Sequence, residues 1–295
     1  DTMMVGVVGK EAIAAVGLTG QPRMLMMSLF FALNVGVTAI VARRKGEGNP
    51  ADANQTLRNA LVLLLAISVV MMVVSLSISR PLILFAGAQP DTIDMANTYF
   101  RILMWALPIN AATMCINAAQ RGVGNTRITM YVNVVANLVN VLFNYLLIGG
   151  HLGFPRLEVA GAAIATVIGY CVGFVLALYS VISNRRQAGF LRLSHYDDWR
   201  LKRKTIESIA RLGGNAMIEQ VAMRIGFFAY AMIVAALGTD AFAAHNICMQ
   251  FLNITFTFGD GIGVASTALV GQNLGQKRPD LSQMYGKMGQ RMAMT

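Results

Sequence analysis

Charged residues are scarce in this chain. Asp, Glu, Lys and Arg make up only 13% of its 295 residues, whereas hydrophobic residues make up 56%. A soluble domain carries about 25% charged residues, so the composition excludes an ordinary soluble fold and predicts a membrane protein with several spans. No basic stretch precedes the first apolar residues, and we therefore expect no signal peptide.

Cysteine and histidine are also scarce, with three of each. Cys115, Cys171 and Cys248 fall in separate apolar runs without the spacing of a metal site, so they are predicted to be free thiols in the core. The three histidines are not paired with Asp or Glu at ligand spacing, and no nucleophile-and-base constellation is visible. The sequence therefore does not predict an enzyme.

The net charge of +10 comes from short loops between the apolar runs. This placement follows the positive-inside rule, so a nucleic-acid partner is not expected. Loops after the even-numbered predicted spans hold 15 Lys and Arg residues, and those after the odd-numbered spans hold 3. The first group of loops is therefore predicted to lie in the cytoplasm, with the protein in the plasma (inner) membrane.

The apolar runs predict an all-α polytopic fold, since a span needs about 20 residues. Residues 2–8 are too few for a span and are interpreted as the second half of the first helix. Pro108 is expected to kink the fourth span. The predicted spans two to eight, and the beginning of the ninth, are residues 12–42, 57–79, 99–119, 128–149, 159–183, 206–237, 241–271 and 282–295.

The end of the chain repeats its beginning. Residues 9–50 align with 238–279 at a shift of 229, without a gap, and eleven of the 42 positions are identical. Between the two copies lies a segment, 184–204, with seven Lys or Arg residues. We interpret residues 1–183 as an N-lobe, 184–205 as a cytoplasmic inter-lobe linker and 206–295 as an incomplete C-lobe.

The inter-lobe linker is predicted to lie along the cytoplasmic membrane surface. Seven cations cannot be placed in a bilayer, because each costs several kcal/mol at its centre. The apolar side chains of the linker are expected to point toward the lipid headgroups. These side chains are Phe190, Leu191, Leu193 and Trp199.

A stripe of four asparagines marks the fifth predicted span. Asn133, Asn137, Asn140 and Asn144 recur at spacings of 4, 3 and 4, which places them on one face of a helix. A carboxamide facing lipid costs a few kcal/mol, so this face is predicted to meet protein or water. Hydrogen bonds that hold two helices together are the alternative to a transport role.

Ionisable residues within apolar runs are the other candidates, because such groups usually face a cavity or a partner. Asp1 opens the chain, and Asp260 lies between two glycines in the eighth span. Glu219 and Arg224 lie in the seventh span, where Arg224 is identified as the only clear intramembrane cation. A structural ion pair remains the alternative for Glu219 and Arg224.

Five stretches resemble the multidrug and toxic compound extrusion (MATE) transporters. The longest, residues 121–166, is similar to their fourth-to-sixth-helix signature. The five are DTMMVGVVG (1–9), RGVGNTRITMYVNVVANLVNVLFNYLLIGGHLGFPRLEVAGAAIAT (121–166), IEQVAMRIG (218–226), LGTDAFAAH (237–245) and TALVGQNLG (267–275). The resemblance covers essentially the whole chain, from part of the first helix to the start of the ninth.

The resemblance implies two six-helix lobes related by a pseudo-twofold axis, the second truncated in this chain. It implies an antiporter that exports cationic amphipathic compounds in exchange for Na⁺ or H⁺, with no other cofactor and as a full-length monomer in lipid. Asp1 matches the first-helix aspartate used for cation coupling, and Asn140 and Asn144 match the positions beside it. Some members have an aspartate at the position of Asn144, which cannot titrate.

The same resemblance suggests which residues bind Na⁺ or substrate. Asp1, Asn140 and Asn144 are the candidate Na⁺ ligands, since hard cations prefer such oxygens. Asn137, Glu219, Arg224 and Asp260 are the candidates for the cavity. A lipid-linked-oligosaccharide flippase of the same broad superfamily is the alternative function, although it needs several cations to hold a pyrophosphate. A receptor or scaffold would not need asparagines at membrane depth.

Overall fold

The computed structural model describes residues 2–6, 8–86, 90, 92–153, 155–182, 190–193, 199, 201–236 and 239–294. Within these residues the chain forms eleven α-helices and one short 3-10 turn at His151–Gly153. The α-helices are α1 (Thr2–Val5), α2 (Lys10–Gly46), α3 (Pro50–Ser77), α4 (Ser79–Phe85), α5 (Ile93–Trp105), α6 (Leu107–Gly122), α7 (Thr126–Gly149), α8 (Glu158–Ile182), α9 (Arg203–Ala236), α10 (Thr239–Gly275) and α11 (Pro279–Met294).

Four of the described helices are long and apolar enough to cross a membrane: α2, α3, α7 and α8. Helices α5 and α6 together form a fifth candidate span, bent by 50° at their junction. The bend lies next to Pro108 in the first turn of α6, as predicted. Helices α9 and α10 have 34 and 37 residues, and that they cross the membrane stays a prediction.

The sequence repeat appears in the structure as a matched pair of helices. Helices α2 and α10 both have 37 residues, and their bounds differ by the same 229 positions as the alignment. Gly48 and Lys277 occupy equivalent places in the turn that follows, and both have a positive φ, 68° and 58°. Prolines then open α3 and α11. The prediction of a repeated helix–turn–helix is confirmed.

Small residues let the N-lobe helices approach closely. A Cβ at Gly161 of α8 would lie 2.7 Å from the carbonyl oxygen of Leu147 on α7, and one at Gly169 would lie 3.0 Å from that of Ala136. Such contacts stabilise helix pairs in membranes, where burial of apolar surface gives little advantage over lipid. The small-residue run at the start of α8 is therefore a packing face.

The prediction for the linker is wrong for two side chains. Leu191 and Leu193 are 5% and 8% exposed and belong to the protein core instead of pointing toward lipid. The backbone amide of Arg192 donates a hydrogen bond to the Asn54 side chain at 2.7 Å, and that of Leu193 donates to the Val181 carbonyl at 2.9 Å. These bonds hold the linker against the ends of α3 and α8.

Candidate functional site

A cavity of about 190 Å³ lies within the N-lobe, between α6, α7 and α8. Its wall is polar at many points, and none of the described residues that line it carries a charge. The lining residues are Asn110, Thr113, Val132, Asn133, Ala136, Asn137, Asn140, Thr166, Gly169, Tyr170 and Gly173. A cavity of this composition offers carboxamide and hydroxyl groups to a ligand, together with one aromatic ring.

The asparagine stripe of α7 forms one wall of this cavity. Asn133, Asn137 and Asn140 line it, and Asn144 lies fully buried one turn further along the helix. The prediction that the stripe meets protein or water is confirmed for Asn140 and Asn144, and it stays a prediction for Asn133 and Asn137, which are exposed. The stripe also bonds to a neighbouring helix, since Asn140 donates a hydrogen bond to Thr166 of α8 at 3.1 Å. The same face of α7 therefore lines the cavity and also bonds to α8.

A continuous chain of hydrogen bonds fixes the deepest part of this wall. Asn144 Nδ2 donates to Asn140 Oδ1 at 3.2 Å, Asn140 Nδ2 donates to the Thr166 hydroxyl, and that hydroxyl donates to the Ala162 carbonyl at 3.0 Å. The three side chains are neutral and none of them titrates near neutral pH. They can orient oxygens and dipoles toward a cation, but a carboxylate must supply any proton or negative charge.

The approach of α8 to α7 makes this chain possible. A Cβ at Gly169 would lie 3.2 Å from the Cβ of Asn140, and one at Gly173 would lie 3.3 Å from the Cβ of Ala136. Larger residues at these glycines would push the helices apart. The hydroxyl of Thr166, one turn before Gly169, would then lose its reach to Asn140.

Asp1 lies outside the described residues, so its place in the site stays a prediction. Helix α1, which follows it directly, packs against α7 and α8. Val5 of this helix is fully buried. The packing brings the beginning of the described chain to the two helices that carry Asn140, Asn144 and Thr166.

Two of the three C-lobe candidates do not line this cavity. Glu219 on α9 and Asp260 on α10 are both exposed, and neither contributes to its lining. The side chain of Arg224 lies outside the described part of the chain. Within the described residues, no three His, Cys, Asp or Glu side chains are grouped so that they could hold a metal ion.

Several lining residues were missed from the sequence. Asn110 and Thr113 of α6 stand three residues apart, the spacing of one helix face, so this pair carried a readable signal. Thr166 lies at the end of a small-residue run that was interpreted only as packing. Tyr170, one turn later on α8, carried no signal of its own.

Arg23 is a further candidate for an intramembrane cation besides Arg224. Arg23 lies inside α2, within the span Glu11–Gly46. Its guanidinium lies near the hydroxyl of Tyr99, which is 1% exposed.

Comparison with known proteins gives a consistent family. The MatE family model matches residues 1–146 and 216–294. The chain is 28% identical over 272 residues to "Probable multidrug resistance protein NorM" of Rhizobium meliloti (strain 1021), covering 92% of this chain and 57% of the relative. It is 29% identical over 296 residues to the protein of the same name from Pseudomonas aeruginosa, covering 98% and 59%.

The fold also matches a solved structure. "Crystal structure of MATE in the bent conformation" superposes with a TM-score of 0.89 at 23% identity, covering 99% of this chain and 64% of that one. The chain thus spans slightly less than three fifths of the length of these two curated relatives.

Proposed function

The chain belongs to the MatE family, whose members are transporters and not enzymes, and we propose that the full-length protein is a secondary active antiporter. In this proposal it exports cationic amphipathic compounds in exchange for Na⁺ or H⁺ by alternating access. The names of the curated relatives, which describe multidrug resistance proteins, support export of drugs or toxins.

The observation that carries the proposal is the hydrogen-bond chain from Asn144 through Asn140 to Thr166 at the wall of the cavity. Oriented carboxamide oxygens are good ligands for Na⁺. In the proposed site Asp1 supplies the charge, and Asn140 and Asn144 supply oxygens to Na⁺ or hold the carboxyl group when it takes up a proton. Such binding drives transport if the site binds the ion more tightly in one conformation than in the other.

The composition of the cavity supports a cationic amphipathic substrate. Pockets that hold drug-sized molecules have volumes of about 300–1,000 Å³, so a cavity of about 190 Å³ accommodates only part of such a compound. The ring of Tyr170 attracts a cation through its π face, and carboxamide oxygens accept hydrogen bonds from it. We infer that the cationic end of a substrate enters here.

The flippase alternative is less well supported by the same lining. A pyrophosphate carries several negative charges and needs Lys or Arg partners. Among the described residues the cavity lining includes neither, and Arg23 adds one cation near Tyr99. We therefore retain the antiporter as the proposed function.

Transport by the purified full-length protein in proteoliposomes tests the proposal. A fluorescent cationic dye is the substrate, and a Na⁺ gradient and a pH gradient are imposed separately. Uphill dye movement driven by either gradient supports the antiporter and identifies the coupling ion. Dye movement that follows only its own gradient, or none, would reject it.

Topology and assembly complete the proposal. We infer that the protein lies in the plasma (inner) membrane, with residues 184–205 in the cytoplasm, and that it works as a monomer. A cysteine at Arg200 should then react with a membrane-impermeant thiol reagent only from the cytoplasmic side. Reaction from outside would reverse the proposed topology.

A further inference from the structure

The last turns of the two repeated helices are in direct contact. Gly46 of α2 lies so close to the backbone carbonyl of Gln272 on α10 that a Cβ there would overlap it, and Gly275 of α10 lies equally close to the carbonyl of Arg43 on α2. A Cβ at Gly271 would lie 2.8 Å from the Cβ of Ala42. We call these six residues, Ala42, Arg43, Gly46, Gly271, Gln272 and Gly275, the inter-repeat seam.

The contacts in the seam obey the internal symmetry. At the shift of 229, Gly46 corresponds to Gly275 and Arg43 corresponds to Gln272. The glycine of each repeat therefore meets the same backbone position of the other repeat, as a twofold axis requires. Because both contacts lie at the ends of their helices, α2 and α10 end on the same side of the molecule. Opposite membrane orientations of the two repeats are thereby excluded.

Close glycine contacts between α2 and α10 are confined to one end of the two helices. A Cβ at Gly17 or Gly20 of α2 would meet no atom within 4 Å. The same is true of three glycines before the last turns of α10: Gly259, Gly261 and Gly263. The helices thus converge at the seam, while these earlier glycines border open space.

One side-chain hydrogen bond ties the seam to the cavity-bearing lobe. Gln272 Nε2 donates to the carbonyl oxygen of Gly122, at the end of α6, at 2.8 Å. Helix α6 also carries the cavity residues Asn110 and Thr113. The equivalent side chain in the first repeat, Arg43, instead binds Glu47 of its own repeat at 3.1 Å. Of these two equivalent side chains, Gln272 therefore bonds to the opposite lobe, whereas Arg43 bonds within its own repeat.

We propose that the inter-repeat seam is the cytoplasmic gate of the transporter, closed in this structure and held closed by the Gln272–Gly122 hydrogen bond. This inference rests on the proposed function, because alternating access requires the two lobes to separate at this end. Because the backbones of the two helices are in contact at the seam, the addition of a single methyl group there is enough to disturb the closed gate. An added Cβ at Gly46 or Gly275 must push the helices apart, which favours the conformation open to the cytoplasm.

Thiol labelling of the full-length protein measures gate opening. Ala268 is 7% exposed and lies one turn before Gly271, so a cysteine there reacts with a membrane-impermeant maleimide only when the seam opens. The reporter is placed in a background with alanine at Cys115, Cys171 and Cys248. Inside-out vesicles present the cytoplasmic side to the reagent.

Gly46→Ala and Gly275→Ala should each accelerate this labelling by about tenfold, the usual scale of an overpacking penalty. Gln272→Leu should accelerate it less, because it removes one hydrogen bond and adds no backbone clash. Gly20→Ala is the matched control on α2, since its Cβ meets open space, and it should leave the rate unchanged. Equal rates in all four variants, or labelling from the outer side, would overturn the gate.

A reversible cross-link provides the second measurement. The pair Ala42→Cys and Gly271→Cys should form a disulfide across the seam after a small helix adjustment, because a disulfide needs Cβ atoms about 3.5–4.5 Å apart. The oxidised double variant should lose dye transport and regain on reduction the rate it had before oxidation, and neither single-cysteine variant should respond to the oxidant. Full transport by the cross-linked protein would overturn the gate.

These measurements separate the gate from the proposed function. Labelling and cross-linking report on the seam without any ion gradient. If the unmodified protein transports dye uphill while the seam variants label and transport like it, the gate is wrong and the antiporter stands. If the unmodified protein shows no ion-driven transport, the antiporter is wrong, and labelling still tests whether the seam opens.

Discussion

Asn140 on α7 and Thr166 on α8 are joined by a hydrogen bond of 3.1 Å between the carboxamide nitrogen and the hydroxyl oxygen. The bond crosses the interface of the two helices at the wall of the N-lobe cavity. It lies in the middle of a chain that begins at Asn144 and ends at the carbonyl of Ala162. A change at Thr166 therefore acts on the proposed cation ligands through this chain of hydrogen bonds.

Replacing Thr166 by valine keeps the shape of the side chain and removes its hydroxyl. Asn140 then loses its acceptor in a half-buried position, at a cost of about 1–3 kcal/mol. We expect weaker ion binding and a reduced ion-dependent rate of dye export in proteoliposomes. Thr113→Val is the control, because among the described residues the Thr113 hydroxyl bonds to the carbonyl of Ile109 in its own helix and not to the asparagine stripe. Equal effects of the two variants would contradict the proposed role of the chain.

Asp1→Asn removes the only negative charge assigned to the cation site. In the full-length protein we expect dye binding and folding to be retained and uphill export to be lost, since a carboxamide cannot supply the charge that couples the ion. Asp94→Asn, at an exposed carboxylate on α5, is the control and should leave export unchanged. Full ion-driven export by Asp1→Asn would place the coupling at Glu219 or Asp260.

Asn144→Ala removes one oxygen ligand and leaves the charge in place. Ion affinity should fall by about 1–2 kcal/mol, because a hydrogen bond or ligand to a charged group contributes about that much. Some export should remain at saturating ion concentration. Titration of the ion dependence of export measures the shift. An unchanged ion affinity would remove Asn144 from the proposed site.

Gly161→Ala should destabilise the N-lobe, because its Cβ would lie 2.7 Å from the backbone oxygen of Leu147. Such overpacking costs about 1–3 kcal/mol, which exceeds the roughly 1 kcal/mol that alanine gains over glycine in a helix. Gly214→Ala on α9 is the matched control, since its Cβ would meet nothing within 4 Å, and it should be neutral or stabilising. Thermal unfolding in detergent compares the two, and a stabilised Gly161→Ala would contradict the packing.

Acid should weaken the turn between α2 and α3 through Glu47. Burial raises the pKa of this carboxyl, but hydrogen bonds and charge from Arg44 and Arg43 outweigh it, so that the pKa lies below its ordinary value of 4.5. A group with a lowered folded pKa stabilises the protein above its unfolded pKa and loses that contribution as the pH falls through the folded value. The contribution is at most about 1 kcal/mol, because the pair is solvated.

The measurement for Glu47 is the melting temperature in detergent as a function of pH. Glu47→Gln should lower it slightly at neutral pH, and the difference from the unmodified protein should disappear as the pH falls below about 4. Glu11→Gln, at an exposed residue in the first turn of α2, is the control. A difference that persists in acid would show that the arginines do not act on a charged Glu47.

The sequence by itself determined the class of protein, the repeat and the polar face of α7. Composition and period are local properties that survive in any folded context, so five of the predicted spans, the kink near Pro108 and the asparagine stripe reappear in the described part of the structure. The repeat was readable because two helices of equal length and the turns after them kept the same glycine and proline positions.

Only the tertiary structure decided which residues meet. Thr166 reaches Asn140, and Gln272 reaches Gly122, because glycines let whole helices approach each other. A pattern along one helix shows which face is polar, but it does not identify the opposing helix. For the same reason Leu191 and Leu193 read as lipid-facing although they belong to the core. Apolar residues satisfy both environments equally well, and contacts between distant parts of the chain decide between them.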